Sequence, residues 1–345
     1  MSKKEQKKYI LNPDSIDLQE NQKYKERDIE FFNLNKQIME YYVNDLFQEG
    51  LELALESAKR FPEIPCHTYS WITAFYQGLG KKEETIKALE EGTAQGAWWS
   101  ENAIKEGFQE LKDHPKFPEI LELQEKKAME EKSGAKAKLS VRTPKSYSTK
   151  KLYPLLLVLH GRYDNNATSE PYWKNVLEEK EILLASLQSS QMITGCHFVW
   201  DNSDVALEDL WQAYMLLLER YRIDQSKVIL AGVSQGTDVA LMALYSGLIP
   251  ATGFISVAPS YYNFSKRFDN AKSLQSKKKN IRGYAIAGEK DPRYNRTKEL
   301  FEFLKEIGLT GQFYSIPELG HQIPDDFDQI LIKAINFIIE EKNEG

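Results

Sequence analysis

The segment Gly232-Val233-Ser234-Gln235-Gly236 most constrains what this chain can fold into, because it places G-x-S-x-G between two different periodicities. The apolar run Lys227–Ala231 before it predicts a short buried strand, and the apolar spacing of Thr237–Tyr245 after it predicts a helix. A serine at such a sharp turn holds its hydroxyl clear of the backbone, and the glycines let neighbouring chain approach. The segment therefore predicts a nucleophile beside a helix N-terminus, whose N–H groups can stabilise an oxyanion.

The same alternation of strand and helix continues through the region 136–345. Strands are predicted at 138–142, 153–159, 181–186, 253–257, 281–287 and 312–316, and helices at 206–221, 296–307 and 325–341. Strands that alternate with helices predict parallel crossovers and a sheet covered on both faces. We therefore expect an α/β fold with a mostly parallel sheet flanked by helices, and the carboxyl ends of its strands at one edge.

The first 130 residues have a different pattern. Residues 1–30 are polar and charged, so we expect a loosely docked start, and residues 31–130 read as an all-α domain. Within this domain, Gly50 and Ser57 correspond to Thr85 and Gly92 at an offset of 35 residues. Small residues at this spacing let paired helices approach closely, and the region resembles tetratricopeptide repeats. It is predicted to be either a surface for a peptide or protein partner or an appendage that only packs against its neighbour.

Composition and charge exclude some classes of function. The net charge of −6 argues against a dedicated nucleic-acid binder. The sequence lacks an apolar run of the ~18 residues that span a bilayer, and its N-terminus lacks the apolar core of a signal peptide. Cys66 and Cys196 are far apart and are predicted to be reduced thiols in a cytoplasmic protein. With neither clustered metal-ligand spacing nor a glycine-rich phosphate loop, the sequence predicts no cofactor.

A serine needs a base, and the base needs an acid that fixes its tautomer. Of the five histidines, His321 follows the last predicted strand, where its ring would reach the same sheet edge as Ser234. Asp291 follows the preceding strand and is the predicted acid, with Glu289 in the same loop as its rival. The order serine, aspartate, histidine along the chain is the one expected of one particular fold.

Two backbone N–H groups are predicted to bind the oxyanion. One belongs to Gln235, and the other to Arg162 in the loop after the strand 153–159. The neighbouring His160 is predicted to be a structural hydrogen-bonding residue. The Arg162 side chain is predicted either to meet an acidic group of a substrate or to form a surface salt bridge.

Aromatic residues on loops at this edge suggest a pocket for the acyl or leaving group. They are Tyr163, Trp173, Trp200, Tyr261 and Tyr262, for which ordinary packing is the alternative. Only one polar helix is expected between Pro259 and Asn280, so we do not expect a large built-in lid. The helical domain is instead a candidate cover, through Trp98, Trp99 or Phe117.

With these residues in place, the region 136–345 resembles the α/β-hydrolase superfamily, especially its carboxylesterase/phospholipase-like and prolyl-oligopeptidase-like esterase branches. The matching motifs are His160-Gly161, the pentapeptide around Ser234, Gly288-Glu289-Lys290-Asp291 and Gly320-His321. After the acid, Pro292-Arg293-Tyr294-Asn295 replaces the Val-Pro that is usual in those esterases, which leaves the substrate class open.

The resemblance implies a serine hydrolase that cleaves a small-molecule carboxylic ester through Ser234, His321 and Asp291 and an acyl-enzyme intermediate. Two alternatives stay open. The chain could be a partner-binding helical-repeat protein with a non-catalytic hydrolase scaffold, although a complete triad argues against this. It could also be a peptidase of the same fold, which would turn over aminoacyl arylamides faster than esters.

Overall fold

The computed structural model describes residues 12–22, 26–261 and 281–339 of the 345-residue chain. Its contacts divide the chain into two compact units. The sheet unit comprises the described parts of Met1–Gln22, Lys136–Gln191 and Val199–Gly345. The helical unit comprises the described parts of Lys23–Ala135 together with Met192–Phe198.

The described residues of the sheet unit form one eight-stranded sheet in the order β1-β2-β4-β3-β5-β6-β7-β8. Its strands are β1 (Ile16–Glu20), β2 (Ala137–Arg142), β3 (Tyr153–Leu159), β4 (Leu183–Gln188), β5 (Ile223–Val233), β6 (Gly253–Val257), β7 (Arg282–Gly288) and β8 (Thr310–Ile316). All neighbouring strands pair in parallel except β2 and β4, which are antiparallel. The predicted fold class, a mostly parallel sheet flanked by helices, is therefore confirmed.

Helices lie between these strands and in the helical unit. Those of the helical unit are α1 (Glu26–Val43), α2 (Phe47–Arg60), α3 (Pro65–Gly78), α4 (Lys82–Ala94), α5 (Glu101–Gly107) and α6 (Phe117–Lys132). Those of the sheet unit are α7 (Asn166–Ser169), α8 (Val176–Lys180), α9 (Ser203–Arg220), α10 (Gln235–Ser246), α11 (Tyr294–Glu306) and α12 (Phe327–Ile339). Short 3-10 turns occur at Pro13–Ser15, Gln109–Leu111 and Glu170–Tyr172.

The central strand β3 is buried on both faces, as its unbroken apolar run predicts. Leu155, Leu157 and Leu159 belong to a core cluster that contains the apolar faces of α9 and α10. Leu156 and Val158 belong to a second cluster on the other face, which contains the apolar face of α12. Helices on both faces thus fix the sheet from which the loops of the site extend.

The expectation of a loosely docked start is wrong for residues 16–20, which form β1. This strand pairs in parallel with β2, from Ile16 opposite Ala137 to Glu20 opposite Val141. In the chain, β1 precedes the helical unit and β2 follows it. The sequence of the helical unit is therefore an insertion between two strands that pair with each other. The alternation of Ile16 and Leu18 with polar residues is the signal that could have revealed this strand.

In the helical unit, small residues lie where neighbouring helices approach each other, as their spacing suggested. A Cβ atom added at Gly50 on α2 would overlap the ring of Phe75 on α3. One added at Gly92 on α4 would lie 3.0 Å from the Cβ of Tyr69 on α3. Whether these helix pairs form a partner surface stays a prediction.

The aromatic residues considered as a cover are buried within the helical unit. Trp98 is fully buried and lies against Gly195, while Trp99 contacts Phe108 edge-on. Phe117 is also buried, at the start of α6.

The expectation of two reduced thiols is wrong, because Cys66 and Cys196 form a disulfide. Their Cα atoms are 5.9 Å apart although 130 residues separate them in the chain. The segment Met192–Phe198 belongs to the helical unit, and Thr194 within it pairs with Trp99 as an antiparallel bridge. Sequence spacing could not predict this pairing, because the contact depends on where a loop after β4 packs.

Two other expectations concern a lid and a membrane span. Among the described residues, no helix has both the length and the apolar character needed to cross a bilayer. The lid expectation covers Pro259 to Asn280, and residues 262–280 of that segment lie outside the described residues.

We expect Gly50→Ala to destabilise the protein by about 1–3 kcal/mol, since its methyl group would overlap the Phe75 ring between two packed helices. The measurement is thermal unfolding of the full chain followed by circular dichroism. The matched control is Gly107→Ala on α5, where an added Cβ has no described atom within 4 Å. The packing account would be wrong if both variants unfolded at the same temperature as the parent.

Candidate active site

Ser234 lies at a strained turn between β5, which ends at Val233, and α10, which begins at Gln235. Its φ of 48° and ψ of −113° are in a region that non-glycine residues seldom adopt. Its backbone N–H donates to the carbonyl of Val257, 2.9 Å away on the neighbouring strand. The turn thus holds the serine hydroxyl at the carboxyl end of the sheet, as G-x-S-x-G predicts.

Both flanking glycines are required by close packing at this turn. A Cβ atom at Gly232 would lie 2.5 Å from the carbonyl carbon of Gly236. One at Gly236 would overlap the carbonyl oxygens of Leu159 and His160, where β3 ends. The N-terminus of α10 can therefore sit directly against the loop after β3 only because neither position carries a side chain.

The structure brings together the three residues predicted to form the catalytic group. His321 Nε2 lies 2.9 Å from Ser234 Oγ, and His321 Nδ1 lies 2.6 Å from Asp291 Oδ2. Ser234 follows β5, Asp291 follows β7 and His321 follows β8. Their side chains meet because these strands end at the same edge of the sheet. With Nδ1–H donated to the carboxylate, Nε2 is left to accept the serine proton.

Asp291 is buried, while its rival Glu289 is exposed to solvent. Burial acts to raise the pKa of the Asp291 carboxyl. The hydrogen bonds from His321 and from the Arg293 N–H, together with nearby positive charge, outweigh that effect and hold this pKa below its ordinary value. Asp291 therefore carries the negative charge that can stabilise an imidazolium at His321.

The two predicted oxyanion donors lie on chain segments that border the serine. Gln235 is the first residue of α10, so its N–H has no acceptor within the helix. A Cβ atom at Gly161 would lie 3.8 Å from the Cβ of Ser234, which places the loop with Arg162 against the turn. N–H groups at these positions can donate to the negatively charged oxygen that forms when Ser234 attacks a carbonyl carbon.

A carboxylate that the sequence analysis missed connects the side chains of both predicted donors. Asp201 Oδ1 accepts a 2.8 Å hydrogen bond from Gln235 Nε2. Asp201 also pairs with the Arg162 guanidinium, with Nη2 3.3 Å from Oδ2. The Gln235 amide oxygen in turn accepts from the Trp200 N–H at 2.9 Å. Of the two alternatives for the Arg162 side chain, this structure contains the salt bridge.

His160 is a buried structural residue, as expected. Its Nε2 accepts from the Ser189 N–H at 3.1 Å, and its Nδ1 lies 2.7 Å from the Gly161 carbonyl oxygen. Burial lowers the pKa of His160 to about 4, so the ring is neutral near pH 7. Its carbonyl oxygen accepts from the Trp200 indole at 2.9 Å, which joins this loop to the segment that carries Asp201.

Most of the aromatic residues suggested for the pocket are packing residues. Trp200 and Tyr261 are fully buried in the core cluster of α9 and α10, so the suggestion that they line a pocket is wrong. Trp173 is buried against Phe327. Tyr163 is 38% exposed, with the Arg162 guanidinium 4.5 Å from its ring centre, and it alone of the described candidates is open to solvent. Tyr262 lies outside the described residues.

No protein-family model matches this chain, and no curated protein matches it. One similar solved structure is an uncharacterized protein from Bacillus cereus ATCC 10987, with 28% identity and a TM-score of 0.51 over 89% of this chain and 98% of that one. The chain is also similar to the Bacillus cereus carboxylesterase, with 17% identity and a TM-score of 0.46 over 60% of this chain and 97% of that one. A third similar structure is EstE1, a carboxylesterase cloned from a metagenomic library, with 13% identity and a TM-score of 0.46 over 60% of this chain and 86% of that one. The described sheet of this chain is mostly parallel, with helices packed on both faces.

We expect Asp201→Ala to slow the reaction of Ser234 with a fluorophosphonate probe by about 10–100-fold. The phosphonyl oxygen must occupy the oxyanion position, and a misplaced donor weakens its stabilisation by a factor of this order. Asp201→Asn keeps an acceptor for Gln235 but loses the charge that pairs with Arg162, so its labelling rate should be intermediate.

The matched control is Asp224→Ala, since this carboxylate accepts from Ser226 near the start of β5, away from the serine. Labelling rates are measured by gel fluorescence over time. An Asp201→Ala variant that is labelled as fast as the control would show that Asp201 does not position the donors.

Proposed function

We propose that this protein is a serine hydrolase that cleaves carboxylic esters through an acyl-enzyme intermediate. The observation that carries the proposal is the unbroken hydrogen-bonded chain from Ser234 Oγ through His321 to the buried Asp291 carboxylate. Such a chain activates a hydroxyl that is otherwise a weak nucleophile. The strained serine and the bordering helix N-terminus support the same conclusion.

In the acylation step, Ser234 Oγ attacks the carbonyl carbon of the ester while His321 Nε2 takes the hydroxyl proton. The carbonyl oxygen becomes an alkoxide and accepts hydrogen bonds from the N–H groups of Gln235 and Arg162. When the tetrahedral intermediate collapses, the carbon–oxygen bond to the alcohol breaks. His321 gives its proton to that leaving oxygen, and the acyl group stays on Ser234.

In the deacylation step, a water molecule takes the place of the alcohol. His321 Nε2 removes a proton from the water as its oxygen attacks the acyl carbon. The second tetrahedral intermediate breaks its bond to Ser234 Oγ, which recovers the proton from His321. Asp291 remains ionised throughout, and it holds the ring in the tautomer that both steps need.

We propose a small-molecule ester as the substrate. The cytoplasm is proposed as the place of reaction only for the form in which the Cys66–Cys196 disulfide is reduced, since persistent disulfides are rare in that compartment. The exposed Tyr163 beside Arg162 is the described aromatic residue that can contact such a substrate. A peptide or protein partner for the helical unit belongs to this proposal as a secondary hypothesis, to be tested by binding.

We expect Ser234→Ala to lower kcat for p-nitrophenyl esters by about 10⁶-fold, because removal of the nucleophile also removes the acyl-enzyme route. The same variant should lose all labelling by an organophosphonate. Ser246→Ala at the end of α10 is the control, since its hydroxyl donates to the Ala243 carbonyl oxygen within the same helix. Undiminished labelling of Ser234→Ala would refute the proposed function.

We expect Asp291→Asn to lower kcat by about 10⁴-fold with little change in KM, since an amide at this position favours the wrong histidine tautomer. The exposed Glu289 gives a matched control, and Glu289→Gln should leave kcat near the parent value. Both are measured with a short-chain p-nitrophenyl ester. A larger effect from Glu289→Gln than from Asp291→Asn would transfer the role of the acid to Glu289.

A further inference from the structure

A second cluster of reactive side chains lies within the helical unit and is not used in the mechanism proposed above. It consists of Cys66 near the start of α3 and of Cys196 and His197 in the segment Met192–Phe198. One donor atom from each of the three lies within 4.8 Å of the other two. Two sulfurs and one imidazole nitrogen form a donor set that binds zinc well.

One separation within this cluster already fits a tetrahedral ion, and the other can be reached once the disulfide opens. At a tetrahedral angle, zinc bonds of about 2.3 Å to sulfur and about 2.0 Å to nitrogen set the nitrogen and sulfur about 3.5 Å apart. His197 Nδ1 lies 3.5 Å from Cys196 Sγ. The same geometry needs the two sulfurs about 3.8 Å apart, which rotation of the cysteine side chains can provide after the S–S bond opens. The Cα separation of 5.9 Å therefore suits both the disulfide and two zinc ligands.

The surroundings of the cluster also suit a bound ion. Cys66 is buried, while Cys196 and His197 are half-buried, so an ion can reach donors that are largely shielded from water. Thr194 Oγ1 lies 3.3 Å from Cys66 Sγ and 2.9 Å from His197 Nδ1. Because this oxygen accepts from two backbone N–H groups, its own hydrogen can be donated to a thiolate, an outer contact that orients metal ligands.

We propose that, when the disulfide is reduced, Cys66, Cys196 and His197 bind one zinc ion, with a fourth position left for water or another donor. The helical unit then has two alternative cross-links between α3 and the segment Met192–Phe198. One is the S–S bond, and the other is the metal.

A dithiol reductant can convert the disulfide state into the state that binds zinc. The S–S bond takes up two electrons and two protons, giving two thiols, while the dithiol loses the same and closes to a cyclic disulfide. Zinc binding then releases the two thiol protons to the buffer, and the thiolates and the His197 ring become ligands. Such reduction is the ordinary condition of a reducing compartment, where persistent disulfides are rare.

The test uses the full chain, stripped of metal and reduced, and titrates it with Co²⁺ as a spectroscopic probe. We expect an absorption band from thiolate-to-cobalt charge transfer that saturates at one equivalent and disappears when Zn²⁺ displaces the probe. The Cys66→Ser and Cys196→Ser variants should lack the two-thiolate band. His197→Ala should bind about 10–100-fold more weakly, since even the loss of an outer contact costs a factor of this order.

Two controls keep the result interpretable. His114→Ala is the matched histidine change, because His114 pairs with Glu83 outside the cluster, and its affinity for Co²⁺ should equal that of the parent. The oxidised parent chain needs no mutation and should bind no cobalt through sulfur. A reduced parent with two titratable thiols but no charge-transfer band would overturn the proposal, as would an unchanged affinity in His197→Ala.

Discussion

The rest of the site depends on one close backbone contact, between the first turn of α10 and the carbonyl groups at the end of β3. Gly236 has no side chain, so α10 can approach Leu159 and His160 until an added Cβ would overlap their oxygens. This contact sets the sharp turn at Ser234 and brings the loop with Arg162 beside it. The hydroxyl, the helix N-terminus and the second N–H donor are therefore positioned by the same packing, before any substrate is present.

The sequence allowed the sheet unit and the group around Ser234 to be predicted because their signals are local. The run through β3 is apolar on both faces, and each of the three site residues lies within five residues of the end of a strand. Parallel strands end at one edge, so residues far apart in sequence meet without any long-range information. The choice of Asp291 over Glu289 rested on the position of Asp291 in the loop after β7. In the structure the two residues differ in burial, since Asp291 is buried and Glu289 is exposed.

The features that the sequence did not predict are contacts between distant segments. Asp201 follows a loop whose path is set by Trp200, and its partners Arg162 and Gln235 come from two other parts of the chain. The bond between Cys66 and Cys196 likewise depends on how the segment after β4 packs. Aromatic residues were misassigned because a loop position near the site does not distinguish an exposed ring from one that fills the core, as Trp200 does.

The pairing of β1 with β2 has a consequence for how the chain can be divided. The first strand covers the hydrogen-bonding edge of β2, whose side chains are mostly buried, and it presents Asp17 and Glu20 to solvent in place of that edge. A fragment that began at residue 136 would contain the whole site but leave the edge of β2 unpaired, and an unpaired strand edge can pair with strands of other molecules. The five residues of β1 thus cover the strand edge through which β2 could otherwise pair with another molecule. They lie more than a hundred residues before β2 in the chain.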